Sequence, residues 1–107
     1  MESEKFEYQK EVDERLFLFE VFLETRGMKI DFYFDMYLVK DKKAMSKEKV
    51  YTEDLGDILP FKNPIEKMEE NPEVFLSNVK SILDTSAENM VQFILNKETI
   101  INKLKEL

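Results

Sequence analysis

Asp31, Tyr33, Asp35 and Tyr37 alternate with apolar residues over positions 28–38, and they are the first place to look for chemistry. A period of two puts these four on one face of a β-strand, with Lys29, and Met28, Ile30, Phe32, Phe34, Met36 and Leu38 on the other. Two carboxylates on one face could serve as general acid and base. Residues four apart in a strand are roughly 13 Å from each other, however, which exceeds the separation of about 5–9.5 Å used by glycosidases. The same side chains suit recognition better. Tyrosine gives rigid contact area, and an adjacent aspartate can pair with a lysine or arginine of a partner. Phe22, Asp31, Tyr33, Asp35 and Tyr37 are therefore the expected partner-binding residues.

The rest of the inventory points away from common active-site chemistry. The chain of 107 residues has no histidine and no cysteine. It therefore lacks Ser-His-Asp and Cys-His nucleophiles, a histidine proton shuttle, and thiolate or imidazole metal ligands. Glu53, Asp54 and Asp57 could offer oxygen ligands, but their spacing does not match a calcium loop, and acids near a helix start explain them equally well. Glu66, Glu69 and Glu70 receive the same reading. No metal, no cofactor and no catalytic residue is expected. An enzyme would have to rely on carboxylate, lysine or tyrosine chemistry, in a deep pocket lined by Asp31, Asp35 or Glu20.

Charge narrows the partners. The formal net charge is -7 at pH 7, so nucleic-acid phosphates and anionic lipid are repelled and a basic protein surface is attracted. Direct nucleic-acid binding is disfavoured, and no membrane association is expected. Residues 40–49 hold five lysines between Tyr37 and Tyr51 and read as an exposed loop. Lysines there would discourage edge-to-edge sheet pairing. No apolar run approaches the roughly 20 residues that span a bilayer. The acidic opening MESEKFE lacks the basic and apolar regions of a secretory leader, so a cytoplasmic location is expected. Fourteen lysines stand against Arg15 and Arg26, with few glycines, alanines and prolines. That bias suggests an AT-rich genome, a low-GC bacterium or its phage.

The elements that must position these residues form a single domain over 1–107, of class α+β. An N-terminal antiparallel hairpin, with three or four strands in all as the upper expectation, packs against two or three C-terminal helices. Residues 2–15 read as an edge strand through Phe6, Tyr8, Lys10 and Val12, or as a short charged helix. If Arg26-Gly27 is a two-residue hairpin loop, facing residues have numbers that sum to 53. Leu23 then meets Ile30, Val21 meets Phe32, Phe19 meets Phe34, Phe17 meets Met36, and Glu24 meets Lys29. The competing reading is one helix from Glu2 to Arg26, capped at Gly27. Val50-Tyr51 is a candidate third strand, and residues 54–60 a single turn stopped by Pro60. Asn63-Pro64, Asn71-Pro72 and the capping-box spacing of Thr85 to Glu88 predict helices over 64–70, 72–84 and 86–106. Their apolar stripes are Phe75, Val79, Ile82 and Leu83, then Met90, Phe93, Ile94, Ile101 and Leu104, with Lys97 at the edge.

Leu18, Phe22 and Val39 cannot join the inner face, and a sheet with two partly apolar faces needs cover on both. This surplus makes a non-catalytic acidic protein-binding module the leading expectation: a small bacterial or phage regulator, immunity protein or inhibitor occupying a basic surface of its target. The first alternative is a self-associating structural subunit or small chaperone, a homodimer formed through the hairpin edge or the C-terminal helix. The second is a carboxylate-dependent enzyme.

Overall fold

Strict alternation in the first half of the chain and a stripe of apolar residues in the second produce a sheet and its cover. Four antiparallel strands follow one another in space as in sequence: β1 (Glu2–Val12), β2 (Arg15–Arg26), β3 (Lys29–Asp41) and β4 (Ser46–Asp54). Three helices come after them: α1 (Leu55–Ile58), α2 (Pro64–Glu70) and α3 (Pro72–Lys105). The computed structural model describes residues 2–27, 29–44, 46–59 and 64–107, and the side chains of these except at positions 2, 26, 29, 64 and 65. The readings made at Met28, Pro60 and Asn63, and for the Lys29 side chain, lie outside the described residues.

The inner face of the sheet carries the core. Phe17, Phe19, Phe34 and Met36 have no exposed surface, and Val21 and Phe32 are buried beside them. Phe75, Val79, Leu83, Ala87 and Val91 of α3 close over this face, with Leu55 and Leu59 from the α1 region. Rings meet edge to face at Phe19–Phe34, with centroids 5.6 Å apart, and in a stack at Phe32–Phe75, 5.7 Å apart. Helix α3 lies closest to β1 and β2.

The register differs from the expected one. Facing residues of β2 and β3 sum to 55: Phe17 meets Leu38, Phe19 meets Met36, Val21 meets Phe34 and Leu23 meets Phe32. The two-residue connection begins at Gly27, whose φ of 60° suits a primed hairpin turn, and Arg26 faces Lys29 across it. A slip of two residues keeps every side chain on its face, which is why the inner set comes out as expected while each partner changes. Glu24 consequently faces Asp31, a like charge, and in the register Lys29 faces Arg26 rather than Glu24.

Residues 2–12 are a strand, so the single-helix reading of Glu2 to Arg26 is replaced by an edge strand paired along all of β2. Val12 faces Arg15, which leaves Asp13 and Glu14 as a two-residue turn with φ of 49° and 66°. Both sit in the left-handed region, where aspartate is tolerated and glutamate is strained. The lysine-rich stretch is also more ordered than a loop. Only its first part turns, and β4 begins at Ser46, so the expected Val50-Tyr51 strand extends over nine residues.

The two expected helices over 72–84 and 86–106 are one. Asn71 caps α3 by accepting from the Val74 N–H at 3.3 Å, with Pro72 at the first position, as the sequence suggests. The capping-box residues Thr85 to Glu88 lie inside the helix instead. No glycine or proline interrupts this stretch, and Leu83, Ala87 and Val91 continue one buried row at steps of four. Ala87 is fully buried there, and unwinding at Thr85 would lift it off the sheet. Phe93, Ile101 and Leu104, expected in the stripe, are instead exposed.

Polar contacts also tie helix to sheet: the Tyr8 hydroxyl donates to Asp84 at 2.6 Å, Lys10 stands 3.9 Å from the same carboxylate, and Arg15 stands 3.9 Å from Glu98. Partial burial, then the bond to Asp84, pushes the Tyr8 hydroxyl up to about 12. The neutral phenol is the form that the fold favours, so its contribution is complete below the ordinary value near 10 and is lost as pH rises through 12. Tyr8→Phe is expected to lose less stability than the parent chain between about pH 10 and 12, read from urea midpoints. Glu14→Gly is expected to raise stability by roughly 0.5–1 kcal/mol by relieving the left-handed glutamate, against the greater chain entropy of glycine. Thermal or urea unfolding measures that gain, and a loss would mean that the turn is not strained.

Candidate functional site

The outer face of the sheet points away from the core cluster and its helices. Phe22, Asp31, Tyr33, Asp35 and Tyr37 all belong to it, together with Glu7, Glu20, Glu24 and Leu18. The register sets Glu7, Glu20 and Asp35 in a row across β1, β2 and β3, with Glu24 and Asp31 facing each other four residues along. Like charges placed directly opposite destabilise a sheet. Glu20 and Asp35 are nonetheless 9% and 8% exposed, so they need counter-charges close at hand.

Lysines of the neighbouring strands supply them. Lys47 Nζ donates to Glu20 Oε1 at 2.9 Å, and Lys5 Nζ stands 3.5 Å from Glu20 Oε2. Asp35 accepts from the Thr52 hydroxyl at 2.6 Å and pairs with Lys49 at 3.4 Å. Among the described residues no buried side-chain nitrogen or oxygen lacks a hydrogen-bond partner. The hydrogen bond from Lys47 holds the Glu20 carboxyl below the usual carboxylate range against the opposing effect of burial. The same bond raises Lys47.

A β-bulge puts these lysines in place. Met36 faces Tyr51 but Tyr37 faces Lys49, so Val50 is one residue too many on β4. Had the pairing continued unbroken, Lys49 would face Leu38 and point to the core side. The extra residue switches Lys47 and Lys49 to the outer face and leaves Val50 half-buried on the inner one.

The aromatic residues stand around this carboxylate row. Phe22 and Tyr33 stack with centroids 4.9 Å apart and planes at 19°, and the Tyr33 hydroxyl donates to Glu24 at 3.0 Å. Burial, then that hydrogen bond, raises the Tyr33 hydroxyl above its ordinary value. Lys47 Nζ sits 4.4 Å above the Tyr37 ring, within cation–π range, and Lys49 Nζ lies 6.0 Å away. The result is a flat patch that mixes aromatic surface with paired charge. The expected site residues do share one face. The structure brings Phe22 to Tyr33 and sets Tyr37 beside lysines, while Asp35 is engaged by its own chain.

Sequence reasoning named Glu20 beside Asp31 and Asp35 only as a possible pocket carboxylate, not as a partner-binding residue, and it placed Lys47 and Lys49 in a loop. The alternation of Lys47, Glu48 and Lys49 is a period-two signal that marks strand. The bulge that assigns the lysines to a face has no signature in composition.

The chemistry within reach is ionic and aromatic recognition. Among the described residues no group of three acidic side chains is arranged to hold a metal ion. No described helix is long and apolar enough to cross a membrane. The clefts described lie on the helix side and are lined by residues other than Glu20, Asp31 and Asp35. The architecture is a four-stranded antiparallel meander with helices on one side. Comparison of the chain with protein-family models, with curated proteins and with solved structures finds no match.

The Glu20–Lys47 pair yields a pH dependence. A depressed carboxyl contributes stability that is present above its unfolded value and is lost as pH falls through the folded one. Glu20→Gln should therefore lose less stability than the parent chain as pH falls through the ordinary carboxylate value of 4.5 and below, measured as the shift in urea midpoint. Equal shifts in the two proteins would show that the pair does not couple to folding.

Proposed function

We propose that the protein is a non-catalytic binding module that docks a basic protein surface onto the open face of its sheet, as a small regulator, immunity protein or inhibitor would. The observation that carries this reading is the one-sided cover of the sheet. Helices close over the inner face, while the outer one presents the Phe22–Tyr33 stack and Tyr37 beside Glu7, Glu24 and Asp31. Tyrosine in a flat, partly desolvated patch supplies binding energy, and the acidic residues around it steer a basic partner. The net charge of -7 acts in the same direction at longer range.

The pairing within the patch refines the mechanism. Asp35 and Glu20 already hold lysines of their own chain, so they keep the face flat and ordered. Asp31 is half-buried and closer to the rim, where a charge acts mainly on association rate. Tyr33 and Tyr37 are the residues whose truncation should matter most.

Capture from a native host extract on immobilised protein, at low and high salt, identifies the partner by mass spectrometry. Tyr33→Ala with Tyr37→Ala is expected to weaken that complex by tenfold or more, on the order of 1.4 kcal/mol upward. Asp31→Lys is expected to slow association and reduce its salt dependence. Circular dichroism checks that the variants remain folded. A partner retained at full affinity by all three substitutions would place the interface elsewhere.

A further inference from the structure

Helix α3 is longer than the face it covers. At 34 residues it extends about 51 Å, and its buried row ends at Val91. Beyond that point Phe93 is 61% exposed, Ile100 59%, Leu104 60% and Leu107 99%. Phe93, Lys97, Ile100, Leu104 and Leu107 follow one another at steps of four, three, four and three, which is the seam spacing of a coiled coil. Lys97 is the charged member of the seam, the kind of position that sets register in paired helices.

The stripe borders a groove on the core side of β4. Because α3 lies toward β1 and β2, it leaves a cleft of about 520 Å³ between itself and β4, lined by Met36, Val50, Tyr51, Glu53, Met90 and Phe93 among others. A second cleft, of about 440 Å³, shares Val50, Met90 and Phe93 with it and reaches Ile101. Stripe and groove thus meet at Phe93.

We propose that the occupant of both is a second copy of this chain, its α3 packed antiparallel about a two-fold axis near residues 98 and 99. With facing positions summing to 197, Phe93 meets Leu104 and Met90 meets Leu107 of the other copy. One contact therefore covers the stripe and places the helix tail over the groove. Charge selects the antiparallel order. The charged side chains of the tail are two lysines, Lys103 and Lys105, against one acid, Glu106, and the far end of the groove carries Glu53. Antiparallel packing brings these lysines toward the other copy's Glu53, whereas parallel packing sets lysine beside lysine. The surface is therefore complementary to itself, as a two-fold interface requires. The contact lies on the helix side of the sheet and does not depend on the partner proposed for the outer face.

Sedimentation velocity on the purified chain at tens of micromolar should give twice the monomer mass of 12.8 kDa. Phe93→Glu with Leu104→Glu alters two exposed positions, so the fold should persist by circular dichroism while the dimer weakens by about a hundredfold or more. The chain has no cysteine, which allows a test of register. Phe93→Cys mixed with Leu104→Cys should oxidise to the mixed disulfide dimer in preference to either like-with-like product. A monomer at every concentration, a self-association that the glutamates leave intact, or preferred like-with-like disulfides would each overturn the proposal. So would a chain that is monomeric alone and binds an unrelated amphipathic helix through Phe93 and Leu104.

Discussion

Phe17, Phe19, Phe34 and Met36 are wholly enclosed, and their enclosure dictates the direction of every other side chain on β2 and β3. Alternation leaves no freedom once one face is committed to the core. Glu20 and Asp35 must then project outward from adjacent strands at directly opposed positions. Two carboxylates so placed repel each other, and burial makes both charges costly. The β4 bulge answers that conflict by turning Lys47 and Lys49 toward them, and Lys5 closes the row from β1. The patterning of the core and the ionic order of the open face are thus two results of one requirement.

The two sides of the sheet are finished differently. The helix side gains its stability from apolar burial, with the Tyr8–Asp84 bond as a short polar tie. The open side is held by ion pairs that are partly exposed and by stacked rings, each of modest strength in water. The sheet edges carry their own protection. β1 and β4 bring Lys5, Glu7, Lys47 and Lys49 to the margins, and the bulge distorts β4 locally. Charged and irregular edges resist extension by further strands.

Much of this was legible in the residues. The inner and outer sets of β2 and β3, the α+β class, the Asn71 cap and the turn at 55–58 all follow from alternation and capping chemistry. The pairing partners did not, because a two-residue slip preserves both faces and Gly27 suits either placement of the turn. Edge strand β1 carried a thin signal, since it buries little beyond Tyr8 and Val12 against the core. The continuity of α3 was hidden by Thr85-Ser86, which look like a helix start until Ala87 is seen beneath the helix. That Phe22, Asp31, Tyr33, Asp35 and Tyr37 share the outer face follows from alternation. Their counter-ions do not, because a bulge is a property of pairing rather than of composition.

The chain order has a consequence for synthesis. All four strands are complete at Asp54; Leu55 and Leu59 follow at once, but the rest of the buried cover runs from Phe75 to Val91. A ribosome adds about 5–20 residues per second, so α3 is completed on the order of seconds after the last strand. Adjacent strands joined by two-residue turns can zip together within that interval. Any sheet that forms ahead of α3 would expose its greasy face, and two such sheets would meet through that face until the helix docks.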